Sequence, residues 1–305
     1  MVTVKIGCHF SMTSRIKTTV GVMAFILMAL AACDAKDPVV NSASQTGNKE
    51  NTGLENAHAI GENERGVFPN EVYWGDQHVH TEWSADAGLA GATLGPEEAV
   101  RFARGEKVTS STGLQAQLQR PFDWIAVADH SDGMGTISEL QAGNAEFLAD
   151  PTAKRWYDMM AKGGEESLVA KKEAVAAQAT KTLPHVFMDP KWMVSAWEKN
   201  VDIMEKYNEP GKFTAFIAFE WTSNGENGEN LHRNVIFRDN ANKTRSTPPL
   251  TTFESAAIGR AGTDPESLWQ WLANWERKTG GRVLAIPHNP NLSNGWMFRL
   301  TRYDG

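Results

Sequence analysis

The chain has 305 residues, 41% hydrophobic and 22% charged, enough for one large globular domain or two modest ones. Its formal charge is −7; residues 1–32 hold Lys5, Arg15 and Lys17 but no acid, so a chain starting at Cys33 keeps 27 of the 30 basic residues against 37 acidic ones, or −10. That balance argues against a general nucleic-acid binder, which needs a basic face, while leaving room for a local cationic pocket.

The first element is a targeting segment. Arg15 and Lys17 precede the apolar run Val20 to Ala32, too short for an ordinary transmembrane helix. The run ends in Leu30-Ala31-Ala32-Cys33, which resembles a bacterial lipoprotein lipobox, where cleavage precedes the cysteine and the thiol is lipidated. Asp34 resembles the inner-membrane retention mark of Gram-negative lipoproteins. A plain secretory signal with an incidental cysteine is the alternative. The expectation is therefore a signal peptide at 1–32 and a lipid anchor at Cys33 on the periplasmic side of the cell envelope. Cys8 is lost with the signal, so no disulfide can form. Residues 33–70, rich in Asn, Gly, Ser, Glu and Lys, read as a solvated tether in which His58 is simply exposed. The domain is expected over 71–305.

Val72 to Val79 is β-branched and aromatic enough for a strand, with Gly75 its weak point. Alternation puts His78 and His80 on one face, a pincer for a divalent ion that is, on its own, equally a polar strand end. Leu94-Gly95-Pro96-Glu97-Glu98 starts a helix that runs to Gly105, with proline at its first turn and acids beside it. The apolar run from Phe122 to Ala128 predicts a strand buried on both faces, as in a parallel sheet, stopping at Asp129-His130. Residues 136–207, rich in Ala, Glu, Lys and Met, predict a helical insertion or lid, with His185 in a loop. Phe213 to Trp221 is a further buried strand ending at Glu220. A turn over Ser223 to Asn230, with Glu226 and Glu229 exposed, leads into a hairpin partner, Leu231 to Phe237, that carries His232 and Arg233 at its start. Asp264 and Pro265 cap a helix with Leu268, Leu272 and Trp275 on one stripe, stopped at Gly280-Gly281. Val283 to Ile286 is a fifth strand, followed by Pro287-His288-Asn289.

Strands thus stop at His78 and His80, at Asp129-His130, at Glu220 and at His288, and one starts at His232. In barrel-type α/β folds the C-terminal strand ends converge on one mouth, and a hairpin strand delivers its start there instead. Imidazoles with carboxylates suit Zn²⁺, Mn²⁺ or Fe²⁺, Glu220 being able to bridge two ions, and the absence of thiolates argues against a structural zinc knot.

At this point the residues resemble a family. His78-Val79-His80-Thr81, Ala128-Asp129-His130, Glu220, His232 and Pro287-His288-Asn289 resemble the successive motifs of the polymerase-and-histidinol-phosphatase (PHP) superfamily. The strings Gly75 to Thr81, Pro96 to Gly105 and Glu220-Trp221-Thr222 resemble one branch, the domain of unknown function 3604 group, over about residues 70–305. The resemblance implies a distorted PHP-type (β/α)7 barrel of the α/β class. It implies two or three divalent metal ions (Zn, Mn or Fe) held by His78, His80, His130, Glu220, His232 and His288. It also implies a small phosphoester substrate attacked by metal-activated water, with Asp129 or a histidine near the mouth protonating the leaving group. Arg233 is the candidate for a phosphate oxygen, or equally a strand-end ion pair. The alternatives are sulfate, carboxylic ester or amide hydrolysis on the same site, or a surface protein that holds metal without turnover. Two features depart from the family. Ser84-Ala85-Asp86 replaces Ser-Asp-Gly, which shifts the carboxylate by one. No Asp-x-His follows His288 before Tyr303-Asp304-Gly305, so the expectation is a barrel truncated at its C-terminal side, with further ligands and strands in a longer protein.

Overall fold

The computed structural model describes residues 71–180, 182–225, 227–253 and 264–298. The expected signal segment and tether, with Cys33 and His58, lie outside the described residues, as do Glu226 and residues 299–305. The chain divides at Val67/Phe68, and all the described residues fall in the second unit.

The first strand, β1 (Gly75–Val79), leads into a short helix, α1 (Ala85–Ala90), and then α2 (Pro96–Ala103). Helix α2 begins where its proline and acids predict, the Glu98 carboxylate accepting the Gly95 N–H at 3.1 Å. A small hairpin, β2 (Val108–Thr109) and β3 (Gln115–Ala116), precedes β4 (Trp124–Val127). Six helices follow: α3 (Thr136–Gln141), α4 (Ala145–Ala149), α5 (Pro151–Lys162), α6 (Gly164–Ala179), α7 (His185–Met188) and α8 (Pro190–Tyr207). His185, expected in a loop, is the exposed first residue of α7. The chain continues through β5 (Thr214–Phe216), β6 (Ala218–Trp221), β7 (Arg233–Phe237), α9 (Ala241–Thr244), α10 (Pro265–Thr279) and β8 (Val283–Pro287).

Strands β1, β4 and β5 form a parallel sheet in that order, and β6, β7 and β8 an antiparallel one. The expected single strand over 213–221 is therefore two strands that change partners across Ile217, whose carbonyl accepts the Phe237 N–H at 3.0 Å. A parallel bridge between His130 and Glu220 carries the β4 line onto β6, with Glu220 N–H donating to Asp129 O at 2.9 Å and Ser131 N–H to Glu220 O at 2.8 Å. The fold is mixed α/β, as expected, but among the described residues the sheets do not close into a barrel. Gly75, a weak point by propensity, is required by packing: a Cβ there would meet the ring and the carbonyl of Trp124 at 2.3 Å.

Two apolar clusters hold these elements. One lies between the sheets and α2, α8 and α10, and includes Val100, Trp197, Met204, Phe219, Phe237, Leu268 and Trp275. The other joins Leu140, Phe147, Trp156, Ala170 and Phe187 within α3–α7. Most of the expected 136–207 insertion thus has its own core. Its last helix joins the two: α8 packs Trp192, near its start, against this second cluster and buries Trp197, Val201 and Met204 in the main one.

Candidate metal centre

Strand direction decides which residues meet. The parallel strands β1 and β4 present their C-terminal ends, with His78, His80 and His130, to one side of the sheet. The His130–Glu220 bridge is parallel, so β6 brings Glu220 to the same side. Strand β7 runs against β6, so it is its start that lies there, with His232 just before Arg233. Strand β8 runs against β7 and delivers His288 after Pro287.

The result is a ring of five imidazoles around one carboxylate. Glu220, 1% exposed, has Oε2 2.7 Å from His80 Nε2 and 3.0 Å from His130 Nδ1. Its Oε1 lies 2.8 Å from both His232 Nδ1 and His288 Nε2. His78 completes the ring, its centroid 4.0 Å from that of His288 and 4.6 Å from that of His80. Several of these close atoms make no aligned hydrogen bond: His80 Nε2, Glu220 Oε2, His232 Nε2 and both nitrogens of His288 are buried without one. Buried polar atoms are almost always satisfied. Nitrogens and oxygens that crowd one point without bonding each other have the arrangement of donors to a shared cation. Among the described residues, three groups have ligand atoms close enough to hold an ion: His78, His80 and Glu220; His80, Asp86 and His130; and His130, Glu220 and His232. Neutral imidazole with carboxylate, and no sulfur, fits zinc, manganese or iron.

The supporting contacts follow from the same alternation. His232 and Asn234 share a face of β7, and Asn234 reaches β1: its Nδ2 donates to Gln77 O at 2.8 Å and its Oδ1 lies 3.2 Å from His78 Nδ1. That Nδ2 also lies 3.0 Å from His78 Nδ1, so the amide holds the ring from its Nδ1 side and leaves Nε2 for a ligand role. Thr222 Oγ1 lies 2.8 Å from His130 Nδ1. Asp86, at the start of α1, places Oδ2 3.0 Å from His80 Nδ1 and 3.5 Å from His130 Nε2, and its Oδ1 accepts the Ser84 hydroxyl at 2.7 Å.

Two residues expected to act on substrate sit differently. Asp129 is 3% exposed and gives both carboxylate oxygens to Thr81, accepting its N–H at 2.5 Å and its hydroxyl at 2.8 Å. It ties the end of β1 to that of β4 and is not open at a mouth. Arg233 follows His232 directly and so points to the other face. Its guanidinium donates to Leu231 O at 2.5 Å and Met297 O at 3.3 Å and lies 5.1 Å above the Trp269 ring. Glu229, expected to be exposed, is buried and accepts from the backbone and side chain of Asn227 at 3.0 and 3.1 Å.

The electrostatics follow from this crowding. Burial opposes the charge on Glu220, but the imidazoles around it, His130 first, hold its pKa well below the usual carboxylate value. Burial also opposes charge on His80, yet the carboxylates of Asp86 and Glu220 beside it push its pKa up to about 10. Asp86 answers with a lowered pKa: burial opposes its charge, and His130 and His80 outweigh burial. His78 and His232 are lowered, chiefly by burial. Burial lifts Asp129 to about 6 against the two bonds from Thr81.

No curated protein and no solved structure matches the chain. A family model does, over residues 67–305, which contain every residue of the histidine ring: the chain belongs to the family described as "Protein of unknown function (DUF3604)".

Proposed function

We propose that this protein is a metal-dependent hydrolase, a phosphoesterase of the PHP type, carried on the periplasmic face of a bacterial membrane by a lipid on Cys33. One observation carries the reading: a single buried carboxylate, Glu220, within 3.0 Å of the nitrogens of four histidines. The spacing of the strand-end motifs supports it, as does the way the end of β1 meets β7 and β8 through His78, Asn234 and His288. That approach is also what supports a distorted (β/α)7 barrel. The residues that would hold two or three divalent ions are His78, His80, Asp86, His130, Glu220, His232 and His288. Such ions supply Lewis-acid polarisation of a phosphoryl oxygen and lower the pKa of water toward neutrality. The chain's own part is to aim the imidazoles. Asn234 holds His78 from its Nδ1 side, Thr222 orients His130, and Asp129 with Thr81 holds the β1 and β4 ends at one spacing.

The test is turnover by metal-loaded protein on a panel of phosphate, sulfate and carboxylate esters, beside Glu220→Ala. Phosphate monoesters should be hydrolysed, and the variant should lose activity together with at least one equivalent of bound metal. Turnover only of sulfate or carboxylate esters would move the substrate class, and no turnover by protein carrying its metals would leave a metal-holding binding protein. Fractionation of cells bearing Cys33→Ser checks the anchor, which fails if that variant stays with the membrane.

A further inference from the structure

The hairpin that carries Glu220 and His232 continues beyond the metal centre. Strands β6 and β7 pair so that Glu220 faces Asn234 and Trp221 faces Arg233. The same register holds past the strand ends: Leu231 N–H donates to Ser223 O at 3.0 Å, and Asn224 forms an antiparallel bridge with Asn230. Alternate residues of such a hairpin share a face. Four of them already build the centre: Glu220, His232, Thr222 through His130, and Asn234 through His78. Asn224 and Asn230 are therefore the next pair outward on that face, about 7 Å beyond Thr222 and His232 at the rise of two strand residues.

This outer pair is made of amides. Asn230 Oδ1 accepts the His232 N–H at 3.0 Å, and the Asn230 N–H donates to Leu292 O at 3.0 Å, which ties the hairpin to the loop that leaves the ring at His288. Asn224 is exposed, and its side-chain amide has no hydrogen-bond partner among the described residues. Asparagine is common in turns and disfavoured in paired, extended backbone. Turn propensity thus accounts for Asn227, which bonds Glu229, but not for Asn224. The surrounding charge is as informative. Residues 222–232 and 288–298, the two stretches that border the ring here, contain no lysine or arginine. A second phosphate or a carboxylate on the substrate would call for a cation. An amide, with two N–H donors and a carbonyl acceptor, matches a pair of hydroxyls instead.

We propose that Asn224, paired with Asn230, is a specificity-determining residue: it bonds the hydroxyls of a neutral polyhydroxyl group, a sugar or sugar alcohol, esterified to the phosphate at the ring. Two strand residues out from Thr222, its amide is in reach of the group attached to the phosphate and not of the phosphate itself. The proposal rests on the hydrolase reading for the reaction and on the hairpin register for the recognition, and the two are separable.

The experiment uses metal-loaded protein and two esters of similar size, glucose 6-phosphate and cyclohexylmethyl phosphate, which lacks the hydroxyls. Because their leaving alcohols differ in acidity, the quantity read is the ratio of the two kcat/KM values, in the parent and in Asn224→Ala. The ratio should fall by about 5–30-fold in the variant, the effect of one or two hydrogen bonds at their usual net strength. Metal content, measured alongside, should stay that of the parent. A ratio that does not move, or an equal loss on both esters together with metal, overturns the proposal and leaves the hydrolase reading standing. If neither ester is turned over, the hydrolase reading fails on its own, and calorimetry with the same two compounds decides. Glucose 6-phosphate binding that Asn224→Ala weakens more than cyclohexylmethyl phosphate binding then upholds the role of Asn224; equal weakening, or no binding, overturns it.

Discussion

Glu220 sets the electrostatic problem of the site. A carboxylate 1% exposed carries a desolvation cost of several kcal/mol unless cations surround it. In the metal-free protein the nearest source of positive charge is a protonated imidazole, and His80, beside Asp86 first and Glu220 second, is pushed up to about 10. A raised histidine pKa stabilises the fold fully below its unfolded value of 6.5, and that contribution is lost as pH rises through about 10. Metal-free protein should therefore lose Tm between pH 6.5 and 10. Divalent metal should remove the decline and release protons on binding, because a ligand histidine must be neutral. Thermal melts with chelator and with metal check this; a metal-free Tm that is flat or rising over the window contradicts it. Asn234 is a positioning residue of the same centre. Asn234→Ala should weaken metal binding by about 10–100-fold while the fold persists, read by metal titration and circular dichroism. Its importance is hidden in the sequence because an asparagine inside a strand carries no motif. Arg233 shows the reverse. Its charge beside His232 suggests phosphate binding, yet two neighbours on a strand face opposite ways, so one of them had to point away.

At the scale of elements, the strand ends were legible because apolar runs such as Phe122 to Ala128 are cut by ionisable residues, and polar side chains at the end of a buried run have to meet one another. The exchange of partners at Ile217 was not legible: 213–221 is apolar and holds no turn residue, and only the tertiary pairing shows that β5 and β6 join different strands. Asp86 was recognisable as a displaced family carboxylate, but α1 is too short for a periodic pattern to show where it points. The helical region was read correctly as helices and misjudged in extent, since its amphipathic stripes do not reveal that α8 packs on the sheets while α3–α7 pack on one another. That division has a consequence. Phe147 is fully buried, with ring centroids 5.0 Å from Phe187 and 5.2 Å from Trp192. Phe147→Ala should cost about 3–5 kcal/mol within the helical layer. Hydrogen exchange should accelerate over α4–α7 while the metal content per chain is kept; metal loss in step with that exchange would show that the two cores are one cooperative unit.

For the whole molecule, the net charge is −7, and among the described residues no helix is long and apolar enough to cross a membrane. The proposed attachment to a membrane rests on the lipobox-like Leu30-Ala31-Ala32-Cys33. The sheets curl until the end of β1 meets β7 and β8, which is how histidines 210 positions apart in the chain, His78 and His288, come into ring contact. Convergence of this kind serves a metal cluster, and the central claim is that the cluster sits on Glu220. Anomalous diffraction at the metal edge, from crystals of protein loaded with zinc or manganese, tests it most directly. At least two peaks ~3.5–4 Å apart are expected, one of them in contact with the Glu220 carboxylate and with His80, His130 or His232. No peak at Glu220 under saturating metal, or a peak only elsewhere on the chain, would contradict it.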